Sequence, residues 1–329
     1  MASATIRDVA REAEVSVASV SRALNGLSNV HPDTRARVKA AAKSLGYVPH
    51  AGARSLSLAR THAIGVVLPD LFGEFFSEIV RGMDRETTAR GYHLLLSNMH
   101  ADAELAAQAM RSMRGRVDGL VVMAPQLDRA GLEEALPTGT PAVLINTAGA
   151  PERPAMRVDN VAGMRVLVEH LAAAGRRAPV HVAGPAGNID ARERREAFAA
   201  AMRRMLPGTP VRMLEGNFRE EAGARAVATL LARDEPFDAI VAANDMMALG
   251  ALMALREAGI DVPGAVAVTG FDDVPLARYL SLTTVRVHLV DLGARAIARL
   301  IDALEGDGSA APELFVPELI VRGSSVVGA

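Results

Sequence analysis

The sequence predicts an α/β protein in which a small N-terminal helix-turn-helix headpiece precedes a two-lobed core of parallel sheets. The first observation is length, because 329 residues exceed one typical domain and suit a small module followed by one or two larger domains. The second is a helical periodicity in residues 5–26. The third is the alternation of short apolar runs with helical stretches from Ala63 onward.

The first predicted helix begins after Thr5. Thr5 precedes Asp8 by three residues, which is the spacing of a capping box. The apolar residues that follow recur on one helical face: Ile6, Val9, Ala10 and Ala13. This pattern predicts a short amphipathic helix.

A second helix is predicted from Ser16, which serves as its N-cap, to the Asn25-Gly26 stop. Val20 and Leu24 are expected to face inward, and the outward face carries Val17, Ala18, Ser21 and Arg22. Two short helices joined by a tight turn make a helix-turn-helix, and the second would bring Arg22 to a guanine edge in a major groove. A generic helical hairpin fits the same pattern, so both interpretations stay open at this point.

A third helix is predicted from Pro32 through Leu45, with Gly46 as its stop. Its apolar stripe comprises Val38, Ala41, Ala42 and Leu45. The segment PHAGARSLSLAR, residues 49–60, has helical potential but nothing obvious to pack on, so it is expected to be a linker that is disordered when free.

The core is predicted from eight apolar runs, AIGVVL, YHLLLS, GLVVM, PAVLI, PVHVA, VRML, AIVAA and VAVTGF. Such runs, separated by helical stretches, are typical of parallel sheets with crossover helices. The series divides into similar halves near residues 63–158 and 160–286. Each half is therefore expected to form its own sheet, with a cleft between the two.

Charge is distributed unevenly along the chain. Residues 1–60 contain nine Lys or Arg against four Asp or Glu, although the whole chain has a net charge of −2. A basic head on an acidic body is typical of phosphate binding at one end.

The chain contains no cysteine, its eight histidines show no metal-ligand spacing, and no nucleophile elbow or phosphate loop is present. No cofactor, metal or enzymatic activity is expected. The absence of a signal peptide and of a membrane-spanning apolar stretch predicts a soluble cytoplasmic protein.

Polar residues follow the apolar runs, where the carboxyl ends of parallel strands would form a ligand site. They are Asp70, Asn146, Asp190, Arg192, Arg194, Asn244, Asp245, Asp272 and Asp273, with Phe75 and Phe76 nearby. A plainer interpretation makes Asp272 and Asp273 turn residues and the arginines of 192–195 a solvated helix face. One of the two adjacent phenylalanines is expected to line the cleft and the other to pack inward.

Several long motifs resemble the LacI/GalR family of bacterial transcriptional regulators. TIRDVAREAEVSVASVSRALNG and RVKAAAKSLGYVPHAGARSL resemble its DNA-binding headpiece. GPAGNIDARERREAF, ANDMMALGAL and GFDDVPLARYLSLTTVRV resemble its effector-binding core. Glu14 stands where the family usually has Gly, at a cost of about 1 kcal/mol if that position is left-handed. The loop before Leu282-Thr283-Thr284 is shorter than usual.

The resemblance implies a headpiece at 1–48, a hinge helix at 49–61 and a periplasmic-binding-protein-like core at 62–329. The N-subdomain would comprise about 62–158 with 287–312, and the C-subdomain about 159–286 with 313–329. The chain would cross the cleft three times. A homodimer without a tetramer-forming C-terminal coiled coil is expected, bound to a near-palindromic double-stranded operator.

The resemblance also implies the binding residues. The headpiece and hinge would contact DNA through Thr5, Ser16, Val17, Ala18, Ser19, Ser21, Arg22, Asn25, His31 and the minor-groove wedge Leu56. The effector would contact Arg194, Asn244 and Asp272, with Asp190, Arg192 and a phenylalanine of the 72–76 segment, Phe75 or Phe76, as neighbours. The expected function is repression of carbohydrate-utilisation genes under a sugar effector. Response to a purine or another metabolite, and activation or corepression, remain alternatives.

Overall fold

A computed structural model describes residues 4–25, 30–48, 60–147, 153–233 and 235–326. The chain divides into two compact units. The first unit comprises the chain up to His62 together with residues 115–117, and the second unit comprises the other residues from Ala63 onward. No helix within the described ranges is long and apolar enough to span a bilayer. Within the same ranges, no group of three or more His, Cys, Asp or Glu side chains is arranged to hold a metal ion.

The headpiece is a three-helix unit, as predicted. Its helices are α1 (Ile6–Glu12), α2 (Val17–Leu24) and α3 (Pro32–Ser44). The predicted caps are confirmed: Thr5 and Asp8 form a complete capping box, and Ser16 Oγ accepts from the Ser19 amide at 3.1 Å. Glu14 lies between α1 and α2 at φ 52°, so the position where the family usually has glycine is left-handed here.

The headpiece core joins one apolar face from each helix. Val9, Val20 and Val38 are fully buried at its centre, and small alanines fill the space around them. The prediction for Leu45 is wrong, because this residue is the C-cap of α3 and remains 37% exposed. The stripe ends one turn earlier, at Ala41 and Ala42.

The first lobe of the core contains a six-stranded parallel sheet in the order β11-β5-β4-β3-β1-β2. The strands are β1 (Ala63–Leu68), β2 (His93–Asn98), β3 (Gly119–Val122), β4 (Ala142–Ile145), β5 (Ala155–Val158) and β11 (Glu313–Phe315). Its helices are α4 (Glu74–Ala89), α5 (Ala103–Ser112), α6 (Arg129–Ala135) and α12 (Leu289–Glu305). Strands β1, β3 and β4 are buried along their whole length, as continuous apolar runs predict.

The second lobe contains a four-stranded parallel sheet in the order β7-β6-β8-β9. The strands are β6 (Pro179–Val182), β7 (Arg212–Leu214), β8 (Ala239–Ala242) and β9 (Ala267–Thr269). Its helices are α7 (Asn160–Ala173), α8 (Ile189–Met205), α9 (Glu220–Ala232), α10 (Asp245–Glu257) and α11 (Pro275–Tyr279). The eight apolar runs therefore all contain strands.

The chain crosses between the lobes three times, as predicted, but one assigned boundary is wrong. The C-subdomain was assigned residues 313–329, whereas β11 pairs in parallel with β5 in the first sheet. The return to the second lobe begins later, at β12 (Glu318–Ile320), which pairs antiparallel with β10 (Thr284–Arg286). Because β11 has only three residues and none of them is buried, its sequence carries no clear strand signal.

Each lobe contains one tightly packed helix pair that depends on glycine. In the first lobe, a Cβ added at Gly82 would lie 1.9 Å from the Val290 carbonyl oxygen of α12. In the second lobe, a Cβ added at Gly250 would lie 1.8 Å from the Glu220 carbonyl oxygen of α9. The absence of a side chain at these positions allows the helices to approach at backbone contact distance.

Candidate nucleic-acid interface and ligand cavity

The exposed face of α2 is the candidate nucleic-acid interface of the headpiece. Val17 is 42% exposed, and Ala18 and Arg22 are also exposed, while Val20 and Ala23 on the opposite face are buried. Arg22 Nε donates to the Ala18 carbonyl at 3.3 Å, which holds the guanidinium along the helix surface. The helix thus presents two small apolar side chains and one cation to solvent.

The other predicted DNA contacts lie at helix ends. Ser16 and Ser19 share a hydroxyl contact of 2.9 Å at the start of α2, and Asn25 Nδ2 donates to Ser21 Oγ at 3.4 Å at its end. His31 is exposed at the start of α3. Leu56 and residues 49–59 of the hinge segment lie outside the described residues. The described side chains of this set lie on the surface or at caps, and all of the DNA contacts stay predictions.

The candidate ligand site is a cavity of about 290 Å³ between the two lobes of the core. Both sheets reverse their strand order beside it: β1 lies between β2 and β3, and β6 lies between β7 and β8. Carboxyl ends of parallel strands at such a switch point leave a crevice, and here two crevices face each other. The volume is close to the lower end of the range of about 300–1,000 Å³ found for small-molecule sites.

Six of the seven predicted effector residues line this cavity: Phe75, Phe76, Asp190, Arg194, Asn244 and Asp272. Phe75 and Phe76 both line it and pack edge to face with ring centroids 5.0 Å apart, so the expectation that only one faces the cleft is wrong. Arg192 is exposed and does not line the cavity. It lies on the outer face of α8, two residues from each of the inward-facing residues 190 and 194.

Arg194 is the centre of the polar wall. Its Nε donates to Asn160 Oδ1 at 2.8 Å and its Nη1 to the Ala243 carbonyl at 2.5 Å. The guanidinium carbon lies 3.7 Å from the ring centroid of Phe271, a cation–π contact. Only 4% of Arg194 is exposed, so these contacts fix its orientation before any ligand binds.

Asp272 lies opposite this guanidinium, with Oδ1 3.6 Å from Arg194 Nη2. At this distance the two groups form an ion pair but no hydrogen bond. Burial raises the pKa of Asp272 to about 7, Arg194 opposes the shift, and the charge of Asp190 adds to it. The backbone of Asp272 has φ 111°, a strained conformation for a non-glycine residue, stabilised by the 2.8 Å hydrogen bond from its amide to the Val285 carbonyl.

Asp190 and Asn244 complete the predicted set. Asp190 Oδ1 accepts from Asn160 Nδ2 at 2.8 Å, and burial raises its pKa although Arg194 acts in the opposite direction. Asn244 is the N-cap of α10, since its Oδ1 accepts from the Met247 amide at 3.0 Å and its Nδ2 donates to the Phe218 carbonyl at 2.9 Å. Both side chains are therefore pre-oriented.

Three other predicted polar positions are structural. Asn146 is buried and accepts from the Val158 amide at 3.1 Å. Asp245 accepts from Thr284 Oγ1 at 2.5 Å and from the Val274 amide at 2.9 Å, and burial beside Asp272 raises its pKa well above the ordinary value. Asp273 forms ion pairs with Arg286 and Arg322, both at 2.7 Å.

Several cavity residues were missed by the sequence interpretation: Gln126, Phe218 and Arg219. Phe72 also lines the cavity and lies within the predicted 72–76 segment, although it was not one of the two phenylalanines named there. Gln126 follows β3, so reading past the GLVVM run would have found it. Arg219 Nη2 lies 3.3 Å from Asp70 Oδ2, and its guanidinium is 5.1 Å from the Phe72 ring centroid. This ion pair joins the two lobes at the cavity and has no signal in the sequence, because its partners are about 150 residues apart.

Comparison with known proteins assigns both units. Residues 5–50 match the family described as bacterial regulatory proteins, lacI family, and residues 168–325 match the periplasmic binding protein-like domain. The ribose operon repressor of Escherichia coli (strain K12) is 34% identical over 330 residues, which cover 98% of this chain and 100% of that protein. The chain belongs to the lacI family of bacterial regulatory proteins. It is a DNA-binding transcriptional regulator with a ligand-binding core.

Solved structures of a repressor and of another transcriptional regulator have the same fold. The Lac repressor dimer bound to operator and the anti-inducer ONPF has a TM-score of 0.89 at 28% identity, covering 99% of this chain and 100% of that one. The complex of the transcriptional regulator CelR with cellobiose has a TM-score of 0.71 at 28% identity, covering 98% and 100%. The predicted fold class is confirmed.

Proposed function

We propose that this lacI-family protein represses carbohydrate-utilisation genes by binding a near-palindromic operator as a homodimer, and that a sugar in the cavity controls its operator affinity. The observation that carries the proposal is the pairing of two sites in one chain. One is an α2 surface with a single cation beside two small apolar side chains, and the other is a preformed cavity in the core with one polar and one mostly apolar wall.

The α2 surface supports base recognition in a major groove. Arg22 is suited to a bidentate contact with guanine O6 and N7, and Val17 and Ala18 are suited to a thymine methyl. Ser16, Ser19 and Ser21, with the amides at the start of the helix, supply neutral donors for phosphate oxygens. Thr5, Asn25, His31 and Leu56 are the further proposed contacts.

The cavity supports recognition of vicinal hydroxyls. Each hydroxyl both donates and accepts, which requires a carboxylate and an amide or guanidinium on the same wall. Asp190, Arg194, Asn244 and Asp272 supply this combination, and the phenylalanines cover the apolar face of a sugar ring. The ribose operon repressor and the CelR complex with cellobiose are relatives whose names connect them with carbohydrates.

Control of operator affinity would follow from closure of the two lobes over the ligand. Residues of both lobes line the cavity, so a bound molecule has different contacts in open and closed cores. Such coupling between two sites is typically worth about 1–3 kcal/mol. Because the chain acts on DNA, the proposal places it in the cytoplasm and assigns it no catalytic reaction.

The DNA half of the proposal is tested by selecting bound sequences from a random duplex library with the full-length protein. Arg22→Ala is then compared with Arg37→Ala, an exposed arginine on α3, by fluorescence anisotropy. Loss of one bidentate base contact costs about 1–3 kcal/mol, so we expect Arg22→Ala to weaken binding of the selected sequence about 5- to 150-fold. Nonspecific binding should stay unchanged, and Arg37→Ala should have a smaller effect.

Two results would contradict this half of the proposal. Failure to enrich any sequence would contradict the proposal that the protein binds DNA sequence-specifically. Equal weakening of Arg22→Ala on all duplexes would show that Arg22 contacts phosphate only.

A purine or nucleoside effector is the second candidate, and one observation favours it. Four of the eight phenylalanines of the chain, Phe72, Phe75, Phe76 and Phe218, line this cavity. Aromatic residues make up only 3% of the chain, yet half of its phenylalanines are concentrated at this cavity. Flat rings stack on aromatic side chains, so a nucleobase would also find apolar contact.

A further inference from the structure

Two residues that line the cavity each carry a buried side-chain oxygen without a hydrogen-bond donor. They are Gln126 Oε1, from the segment after β3, and Asp272 Oδ1, from the segment after β9. A buried acceptor without a donor destabilises the folded state, and folded proteins satisfy most such groups. One of these acceptors comes from each lobe, and both side chains line the same cavity.

The amide of Gln126 is weakly held at its other end as well. Its Nε2 contacts Met99 Sδ at 2.7 Å, and a thioether sulfur is only a weak acceptor. Met99 is fully buried, so the contact keeps the side chain at the cavity wall. Turning the amide of Gln126 toward a ligand would therefore break only this weak contact with Met99.

The charges on the cavity wall favour a neutral ligand. Among the described residues that line the cavity, the cationic side chains are Arg194 and Arg219. Arg194 is paired with Asp272 and Arg219 with Asp70, and Asp190 adds a third carboxyl group. A phosphate or carboxylate on the ligand would have to displace one of these carboxylates and then lie near the others, at a Coulomb cost that a buried site increases.

We propose that Gln126 is a specificity-determining residue of the cavity. Its Oε1 accepts a hydrogen bond from a hydroxyl or amino group of a neutral ligand, whose opposite end donates to Asp272 Oδ1. The inference rests on the proposed function, in that the cavity is taken as the effector site. Because the two acceptors belong to different lobes, the ligand connects the lobes directly.

The experiment uses the full-length protein and a defined set of compounds. Thermal shifts are measured with ribose, glucose, cellobiose, adenosine and uridine, and with ribose 5-phosphate, glucose 6-phosphate and AMP. A neutral compound should bind better than its phosphorylated counterpart. Calorimetric affinities for the binding compound are then compared among the wild type, Gln126→Met, Asp272→Asn and Gln108→Met, the last being a matched exchange at an exposed position on α5.

Gln126→Met preserves the volume of the side chain and removes the acceptor. A neutral hydrogen bond contributes about 0.5–1.5 kcal/mol, so we expect the affinity to be weaker by about 2- to 13-fold. Gln108→Met should bind like the wild type, and Asp272→Asn should bind much more weakly. Deoxy analogues of the ligand, tested on the wild type, provide a measurement that needs no variant. One deoxy analogue should bind the wild type more weakly than the parent ligand by the same factor. Gln126→Met should bind this analogue and the parent ligand with equal affinity.

The possible outcomes separate this inference from the proposed function. If a neutral ligand binds in an Asp272-dependent manner but Gln126→Met has the wild-type affinity, the proposed role of Gln126 is wrong. The assignment of the cavity as the effector site is then retained. Preferential binding of a phosphorylated compound would overturn the inference that the ligand is neutral. Absence of binding by every compound would overturn the effector half of the proposed function, and this inference with it.

Discussion

The two walls of the cavity differ in how they are built. The wall from the first lobe is mostly apolar and includes Phe72, Phe75 and Phe76, with Gln126 as one of its few polar groups. The wall from the second lobe carries Asp190, Arg194 and Asn244, held by hydrogen bonds inside their own lobe. The first wall is therefore shaped by packing and the second by a buried polar network. Substitutions should affect ligand affinity on the first wall and both stability and affinity on the second.

Arg194→Met tests the second wall most severely. Removing the guanidinium leaves Asp272, Asn160 and the Ala243 carbonyl without their cationic partner in a buried site. Breaking a buried ion pair by removing one partner typically costs about 3–5 kcal/mol, so we expect a loss of that size in the free energy of unfolding. Urea denaturation followed by circular dichroism measures it.

Arg192→Met is the matched control, because this arginine is exposed on the same helix. Its effect should stay within about 0.5 kcal/mol, as for other surface substitutions. Equal stability of the two variants would contradict the view that Arg194 holds the second wall together.

The pH dependence of stability should come mainly from the second wall. The folded state raises the pKa of Asp272 to about 7 and also raises the pKa values of Asp190 and Asp245, in each case mainly through burial. A folded pKa above the unfolded value means that the folded protein binds more protons, so stability is present at low pH and is lost as pH rises through the folded pKa. Burial lowers the pKa of His181 to about 4, which makes stability rise with pH between about pH 4 and pH 6.5 and partly offsets this loss. We therefore expect the free energy of unfolding of the core to fall most clearly between about pH 6.5 and pH 7.5.

Asp272→Asn should make this decline shallower, because the amide cannot ionise. Asp84→Asn, an exchange at an exposed position on α4, should leave the slope as in the wild type. Denaturation curves collected at several pH values give both slopes. A wild-type stability that rises from pH 6.5 to pH 8 would show that ionised Asp272 is better stabilised by Arg194 than its burial implies.

The architecture of the second wall was largely predictable from sequence. Asp190, Arg194, Asn244 and Asp272 all follow apolar runs, and parallel strands bring their carboxyl ends to one edge of a sheet. The error at Arg192 was also avoidable, because a helix that buries residues 190 and 194 turns residue 192 outward.

The first wall and the connections between the lobes were harder to predict. An average aromatic content conceals the concentration of four phenylalanines at one cavity. Strand β11 is three residues long, and its place beside β5 depends on a chain reversal that local pattern does not encode. The contact between Asp70 and Arg219 depends on how the lobes close, which no local propensity specifies.

Phe72→Ala tests the first wall. Phe72 is 50% exposed, so its removal should change the free energy of unfolding by no more than about 0.5 kcal/mol. An aromatic side chain that covers a ligand contributes about 1 kcal/mol, so we expect an approximately 5-fold weaker affinity for the effector identified by the thermal-shift measurements. Leu71→Ala is the control, since this neighbour is 46% exposed and does not line the cavity. An affinity loss common to both variants would point to a general disturbance of the loop rather than to stacking.

The smallest expected effect concerns Asp70 and Arg219, the ion pair that joins the two walls. Both side chains are partly exposed, at 35% and 50%, and such pairs contribute about 0.2–1 kcal/mol. Asp70→Asn preserves the oxygen that accepts from the amides of Leu71 and Phe72, so a double-mutant cycle with Arg219→Ala isolates the ion pair. Its coupling should fall toward zero in 1 M salt, where the Debye length is about 3 Å.

Because this pair connects two lobes, its loss should also open the ligand-free core, and small-angle scattering should detect a larger radius of gyration for Arg219→Ala. Arg129→Ala breaks an ion pair of comparable exposure with Glu133 inside the first lobe, so its radius should equal that of the wild type. If both variants keep the wild-type radius, closure depends instead on the other connections between the lobes. They include the 2.8 Å hydrogen bond from the Leu276 amide to Glu74, the 3.1 Å hydrogen bond from the Ile189 amide to the Pro125 carbonyl and the ion pair between Arg157 and Glu193.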